Sequence, residues 1–193
     1  MKPILKFHQS VVDPANGHCF AIAVKWVGLM LEDTDMAEDY LTRKTRRSDS
    51  TMARRWINTK ARMAASILAG AADAALGKNA QGLPVVQRDL AGPWICKYAQ
   101  NTAAKVEVLK DDVEDAFDLA GTMGGSQYEA FIVSASSPPH TIGVVYDGDD
   151  VLWFDPNEGV FKLGVIGENW QHAVSEICTQ TQFAPDWVLG VKL

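Results

Sequence analysis

The segment from Asn16 to Leu31, NGHCFAIAVKWVGLML, most constrains the fold, because apolar side chains would cover almost the whole circumference of a helix formed by it. Such a helix is stable only when other elements cover it on all sides. The residues from Pro14 to Gly17 do not favour a helix upstream, so Cys19 falls in the first helical turn. We therefore predict a central buried helix with a cysteine at its N-terminus.

The next part of the chain is predicted to be mostly helical. Residues 32–50 are acidic and then basic, which indicates an exposed connection with about one helical turn. A second helix is expected at Ser50–Gly77, between capping residues and a glycine, and a loop rich in Gly and Pro is expected from Asn79 to Pro93. The runs WICKYAQ and KVEVL fit either strands or short helical pieces. DDVEDAFDLAGTMGG predicts a helix with acids in its first turn and glycines at its end.

The C-terminal third changes to short β-branched and aromatic runs. EAFIVS, HTIGVVYDG, VLWFDPN and VFKLG are separated by turn-forming clusters, a pattern typical of antiparallel strands, and ENWQHAVSEICTQ and DWVLGVKL predict a helix and a last strand. Helices first and sheet second favour an α+β fold. We expect one domain over residues 1–193, with a helical part at about 16–122 and an antiparallel sheet at about 128–193.

Composition excludes several classes of function. A net charge of −6 and a pI near 5.2 argue against a general nucleic-acid binder. No apolar run reaches the roughly 18 residues of a membrane span, and the start, MKPILKFHQS, has no apolar signal-peptide core, so we expect neither an integral membrane segment nor Sec-type export. Three widely spaced cysteines, Cys19, Cys96 and Cys178, indicate neither a zinc site nor a disulfide framework, and no cofactor is predicted.

Cys19 has the position of a reactive thiol. The positive end of a helix dipole favours a thiolate, and a nearby histidine can take the proton. His18 cannot serve, because neighbouring side chains on a helix diverge by about 100°. Among His8, His140 and His172, His140 begins a predicted strand, where a side chain can face a cleft.

Asp155 is the predicted partner of His140. A third group should orient the imidazole through its second nitrogen. Asp155 ends the strand that follows the DGDD turn, so the hairpin would bring it beside His140. Each residue also has a structural interpretation: Cys19 as a buried core cysteine, His140 as a loop histidine after two prolines, and Asp155 as the start of an Asx turn.

Three motifs together resemble the YopT/AvrPphB-type cysteine proteases, a papain-like group of bacterial effectors. They are CFAIAVKW at a helix start, PHTIGVVY at a strand start and FDPNEGVF at a strand end, within the region from about Gly17 to Phe161. The resemblance implies a papain-like fold, with Cys19 as nucleophile, His140 as general base and acid, and Asp155 orienting His140. Papain-like enzymes use a side-chain amide before the nucleophile as oxyanion donor, and Asn16 and Gln9 are the candidates here. Asn16 equally fits a helix N-cap.

We therefore expect a cysteine peptidase, a bacterial effector or toxin that cleaves a protein of a target cell after secretion or injection without a Sec signal; otherwise it is cytoplasmic. Two alternatives keep the same triad: an amidase acting on peptidoglycan peptides, and an acyltransferase such as a transglutaminase or deamidase. A third, from another class, is a binding module without catalysis. The sequence does not indicate an oligomeric state.

Overall fold

A computed structural model describes residues 1–9, 19–42, 83–136, 138–164 and 169–193. Within these ranges the chain forms five helices and seven strands. In chain order they are β1 (Leu5–Lys6), α1 (Cys19–Glu32), α2 (Thr34–Thr42), α3 (Leu83–Tyr98), β2 (Lys105–Lys110), α4 (Ala116–Gly124), β3 (Ala130–Ser136), β4 (Pro139–Asp147), β5 (Asp150–Asp155), β6 (Gly159–Gly164), α5 (Trp170–Thr181) and β7 (Trp187–Lys192).

The strands form one antiparallel sheet in the order β1-β6-β5-β4-β3-β7-β2. Strands β3 to β6 correspond to the four predicted antiparallel strands. Each of them pairs with the strand that precedes or follows it in the sequence. The sheet also reaches outside the predicted range of 128–193, because β1 pairs with β6 and β2 pairs with β7. KVEVL is thus a strand. Val106 and Val108 pack on the core, while Lys105 and Glu107 are exposed at this sheet edge.

Helices cover both faces of the sheet, which explains why the strands are apolar at nearly every position. Helices α1, α2 and α3 share one core with residues such as Ile132 and Phe154, whereas α4 and α5 share a second core with Phe131 and Trp153. Helix α1 is buried as predicted and packs directly on β4. Gly143 allows this approach, because a Cβ there would lie 2.8 Å from Val27 Cγ2. The α+β class, with a buried helix on an antiparallel sheet, is confirmed.

Two predictions in the helical part are wrong. Residues 32–50 were expected to hold about one helical turn, but α2 is nine residues long, because Ala37 and Leu41 bury one of its faces. The loop expected over 79–93 is wrong from residue 83 onwards, since α3 begins at Leu83 and includes the WICKY residues. Its second residue is a proline, which fits the first turn because no N–H partner is needed there.

The predicted helix after Asp111 is confirmed as α4. Asp115 caps it by accepting hydrogen bonds from the backbone N–H groups of Phe117 and Asp118, and Gly124 is its last residue. The helix predicted at Ser50–Gly77 lies outside the described residues. None of the described helices has both the length and the apolar character needed to cross a membrane.

Candidate active site

Cys19 is the first residue of α1 and therefore lies at the N-terminal end of this helix. Its side chain is half-buried, and the next described side chain, Phe20, is buried. The Cys19 sulfur lies beside the imidazole of His140 and raises the pKa of this ring. The burial of α1 thus holds the sulfur at a helix N-terminus and against a histidine.

His140 is the second residue of β4, and Asp155 is the last residue of β5. Nε2 of His140 lies 2.8 Å from Oδ1 of Asp155. The Asp155 carboxylate is almost fully buried, with 3% of its side chain exposed. Because Nε2 is engaged by Asp155, Nδ1 is the nitrogen left to face Cys19.

The strand register explains how these two side chains meet. The β4–β5 ladder ends with Gly143 opposite Phe154, so Asp155 falls nearest to Ile142, two residues from His140. Side chains alternate along a strand, and residues 140 and 142 therefore share a face. His140 and Asp155 are therefore diagonal neighbours on that face. A histidine side chain is long enough to span the separation of such a diagonal pair.

A tight turn after Asp155 fixes its carboxylate. The backbone N–H of Asn157 donates to Asp155 Oδ1 over 2.7 Å, and the N–H of Glu158 donates to the Asp155 carbonyl oxygen over 3.1 Å. The turn ends at Gly159, whose φ of +122° is open to few residues other than glycine. Asp155 therefore forms an Asx turn and also contacts His140, so the two interpretations of this residue hold together.

The imidazole of His140 is held in its charged form. Burial lowers its pKa, but the hydrogen bond to Asp155 and the hydrogen bond to Cys19 outweigh this and raise the pKa to about 9. His140 is therefore an imidazolium at neutral pH. A cation next to a cysteine favours the nucleophilic thiolate.

Phe183 is a site residue that the sequence did not reveal. Its ring makes edge-to-face contacts with His140 and with Trp153, each at a centroid distance of 6.0 Å. Gln182 ends α5 in a left-handed conformation and turns the chain towards the sheet. No sequence pattern relates a single phenylalanine after a helix end to His140, so the sequence alone could not have identified this contact.

The two oxyanion candidates differ in what the structure describes. Gln9 Nε2 donates to Asn157 Oδ1 over 2.7 Å, and its backbone N–H donates to the Pro156 carbonyl over 2.6 Å. Gln9 therefore lies beside the turn that holds Asp155. Asn16 lies outside the described residues.

The remaining cysteines lie in other surroundings. The Cys96 thiol donates to the carbonyl of Ala104 over 3.3 Å, and burial raises the pKa of Cys178 to about 12. His172 is exposed and contacts Phe117 edge-to-face. In the described part of the chain, no three His, Cys, Asp or Glu side chains are grouped so that they could hold a metal ion.

Fold and site together define a class: an α+β protein with a Cys, a His and an Asp where a buried helix meets the end of an antiparallel sheet. No known family profile and no curated protein sequence matches the chain. Among solved structures, the avirulence protein AvrPphB of Pseudomonas is similar with a TM-score of 0.56 and 12% identity, over 98% of this chain and 97% of that one. AvrPphB is one of the two proteins that name the family resembled by the motifs. The similarity supports that family at the level of the fold.

Proposed function

We propose that the chain is a papain-like cysteine peptidase that hydrolyses a peptide bond through Cys19, His140 and Asp155. The observation that carries the proposal is the position of His140, which interacts with the Cys19 sulfur and contacts the Asp155 carboxylate over 2.8 Å. This is the order nucleophile, base, orienting acid that thiol hydrolases need. The protease-like fold shared with AvrPphB supports the same conclusion.

The residues account for each step. The Cys19 thiolate bonds to the carbonyl carbon, and the negative charge moves to the carbonyl oxygen. The Cys19 N–H, at the positive end of α1, stabilises this oxyanion together with an amide from Asn16 or Gln9. His140 then protonates the leaving amine as the C–N bond breaks, which leaves a thioester on Cys19.

The second half reaction restores the enzyme. Neutral His140 accepts a proton from water, and the resulting hydroxide attacks the thioester carbon. The C–S bond breaks, the acid product leaves, and Cys19 and His140 return to a thiolate and an imidazolium. Asp155 keeps Nε2 engaged throughout and stabilises the positive ring.

The proposed substrate is a protein in a target cell, which the avirulence role named for AvrPphB favours. The test is to express the wild type, Cys19→Ala and Cys96→Ala in target cells and to identify new protein N-termini by mass spectrometry. New termini should appear with the wild type and with Cys96→Ala but not with Cys19→Ala.

Other results, from this test and from two further assays, would contradict peptide hydrolysis. Cys19-dependent mass changes on intact proteins would identify an acyltransferase or deamidase. Cys19-dependent clearing of cell-wall material on a zymogram, without new protein termini, would identify a peptidoglycan amidase. If a thiol-directed electrophile fails to label Cys19 in the folded protein, the chain is a binding module without catalysis.

A further inference from the structure

The N-terminal segment of the chain runs along the turn that holds Asp155. The N–H of Ile4 donates to the Val160 carbonyl over 2.7 Å, and the N–H of Gln9 donates to the Pro156 carbonyl over 2.6 Å. Between them, Phe7 packs edge-to-face on Phe154, with ring centroids 5.6 Å apart. Backbone hydrogen bonds therefore continue past the two residues of β1 and reach from Val160 back to Pro156.

A continuous series of hydrogen bonds leads from this segment to His140. Gln9 Nε2 donates to Asn157 Oδ1 over 2.7 Å. The backbone N–H of Asn157 donates to Asp155 Oδ1 over 2.7 Å, and the same oxygen lies 2.8 Å from His140 Nε2. Gln9 and Asn157 are half-buried, and Asp155 is buried.

We propose that Gln9 and Asn157 are positioning residues, whose side-chain hydrogen bond holds the Asp155 carboxylate in the orientation that engages His140. The inference rests on the proposed function, since it assigns these residues to the same reaction. The Asn157 N–H shares one carboxylate oxygen with His140, so a movement of residue 157 turns that oxygen. The Gln9 amide prevents this movement by fixing the Asn157 side chain to the N-terminal segment.

This role differs from that of an oxyanion donor, which would use the Gln9 amide on the substrate. An oxyanion donor affects turnover but leaves the imidazole of His140 unchanged. A positioning residue affects the interaction of His140 with Asp155 in the absence of substrate. The two roles are therefore separated by a measurement on the resting protein.

The experiment is an NMR titration of the His140 ring in a Cys19→Ala background, where the imidazole titrates without coupling to the thiol. Gln9→Met keeps the length of the side chain but removes the amide, and Asn157→Ala keeps the backbone N–H. Each should lower the pKa of His140 by about one unit, because the nearby carboxylate stabilises the imidazolium less well. The double variant should show no larger shift than either single one, because both remove the same hydrogen bond.

Three further variants serve as controls. Gln100→Met removes another glutamine hydrogen bond, from Gln100 Nε2 to Glu32 over 3.0 Å, and should leave His140 unchanged. Asp155→Asn should give the largest decrease. Gln9→Glu should keep the pKa of His140 at least as high as in the reference, because the Asn157 amide can rotate and donate to the carboxylate.

The result that would overturn the inference is an unchanged His140 titration in Gln9→Met and Asn157→Ala while Asp155→Asn lowers it. Reduced turnover of Gln9→Met with that unchanged titration would assign Gln9 to the oxyanion instead. If Asp155→Asn has no effect either, the ion pair is absent and the inference fails with it. Circular dichroism of every variant verifies the fold. Absence of Cys19-dependent cleavage would contradict the proposed function alone, since the titration needs no activity.

Discussion

The two halves of the candidate site are held in place by different forces. His140 and Asp155, the sheet-side half, are fixed by directional contacts: a 2.8 Å hydrogen bond, an Asx turn and the edge of the Phe183 ring. Cys19, the helix-side half, is fixed by the burial of its helix. Large apolar residues of α1, among them Ile22 and Trp26, are almost completely inaccessible to solvent.

This difference predicts different sensitivities. Directional contacts depend on individual atoms, so a single change in the sheet-side half should alter its geometry and charge. Burial is distributed over many apolar contacts, so the position of Cys19 should tolerate the loss of any single polar contact within the helix-side half. The two halves meet where the Cys19 sulfur interacts with the imidazole of His140.

The largest expected effect comes from breaking that connection. In the wild type, iodoacetamide at about pH 6 should alkylate Cys19 well before Cys96 or the buried Cys178, because Cys19 lies at a helix N-terminus beside an imidazolium. His140→Ala removes this cation but leaves the helix dipole, so Cys19 should react at least about 10-fold more slowly. Peptide mapping by mass spectrometry measures each cysteine separately. Equal rates for Cys19 in the two proteins would mean that the halves are not electrostatically connected.

The second prediction breaks the sheet-side turn. A Cβ at Gly159 would lie 2.0 Å from the Leu5 carbonyl oxygen, and φ there is +122°. Gly159→Ala should therefore lower the free energy of unfolding by about 3 kcal/mol or more, through backbone strain and displacement of β1. Urea denaturation measures this loss.

Gly148→Ala is the matched control for this change. Gly148 also has a positive φ, +61°, but nothing lies within 4 Å of its Cβ position. Gly148→Ala should lower the free energy of unfolding by only about 1 kcal/mol, because alanine is strained in the left-handed conformation but meets no close contact there. Similar losses in both variants would show that the turn does not depend on the close contact with Leu5.

The third prediction uses the charge of His140. Its pKa is about 9 in the folded protein against an ordinary value of 6.5, so the folded state holds its proton more tightly. The stabilisation is complete below about pH 6.5 and is lost as the pH rises through about 9; it amounts to at most about 3 kcal/mol. Chemical denaturation between these limits should show this loss in the wild type and a smaller one in His140→Gln. If the free energy of unfolding depends on pH in the same way in both proteins, His140 does not contribute this stabilisation.

Where periodicity or turn chemistry acts locally, the sequence was sufficient to predict the structure. An all-round apolar segment is stable only when buried, which identified α1, and the strand runs separated by turn clusters identified β3 to β6. The hairpin that connects β4 and β5 placed Asp155 near His140 because strand alternation alone decides which side chains share a face. These are short-range rules, and they describe most of the sheet.

Long-range pairing was beyond such rules. β1 is two residues long and pairs with β6, more than 150 positions away in sequence, so no local pattern identifies it. Phe183 and the Gln9–Asn157 hydrogen bond likewise depend on how distant segments meet. KVEVL was ambiguous because a short apolar run gains its conformation from its partner, here β7.

The smallest expected effect sharpens the comparison from the helix side. Lys25 of α1 lies over the Tyr40 ring at 4.1 Å from its centroid and over the Tyr98 ring at 5.5 Å. Lys25→Met removes the charge but keeps most of the apolar stem, so the free energy of unfolding should fall by about 0.5–1 kcal/mol. Lys97→Met, which changes an exposed lysine 5.8 Å from the Tyr98 ring, should cost less. Cys19 alkylation should proceed at the wild-type rate in both variants. A several-fold slower rate in Lys25→Met would show that the nucleophile depends on an individual polar contact within the helix-side half, and the distinction between the two halves would then fail.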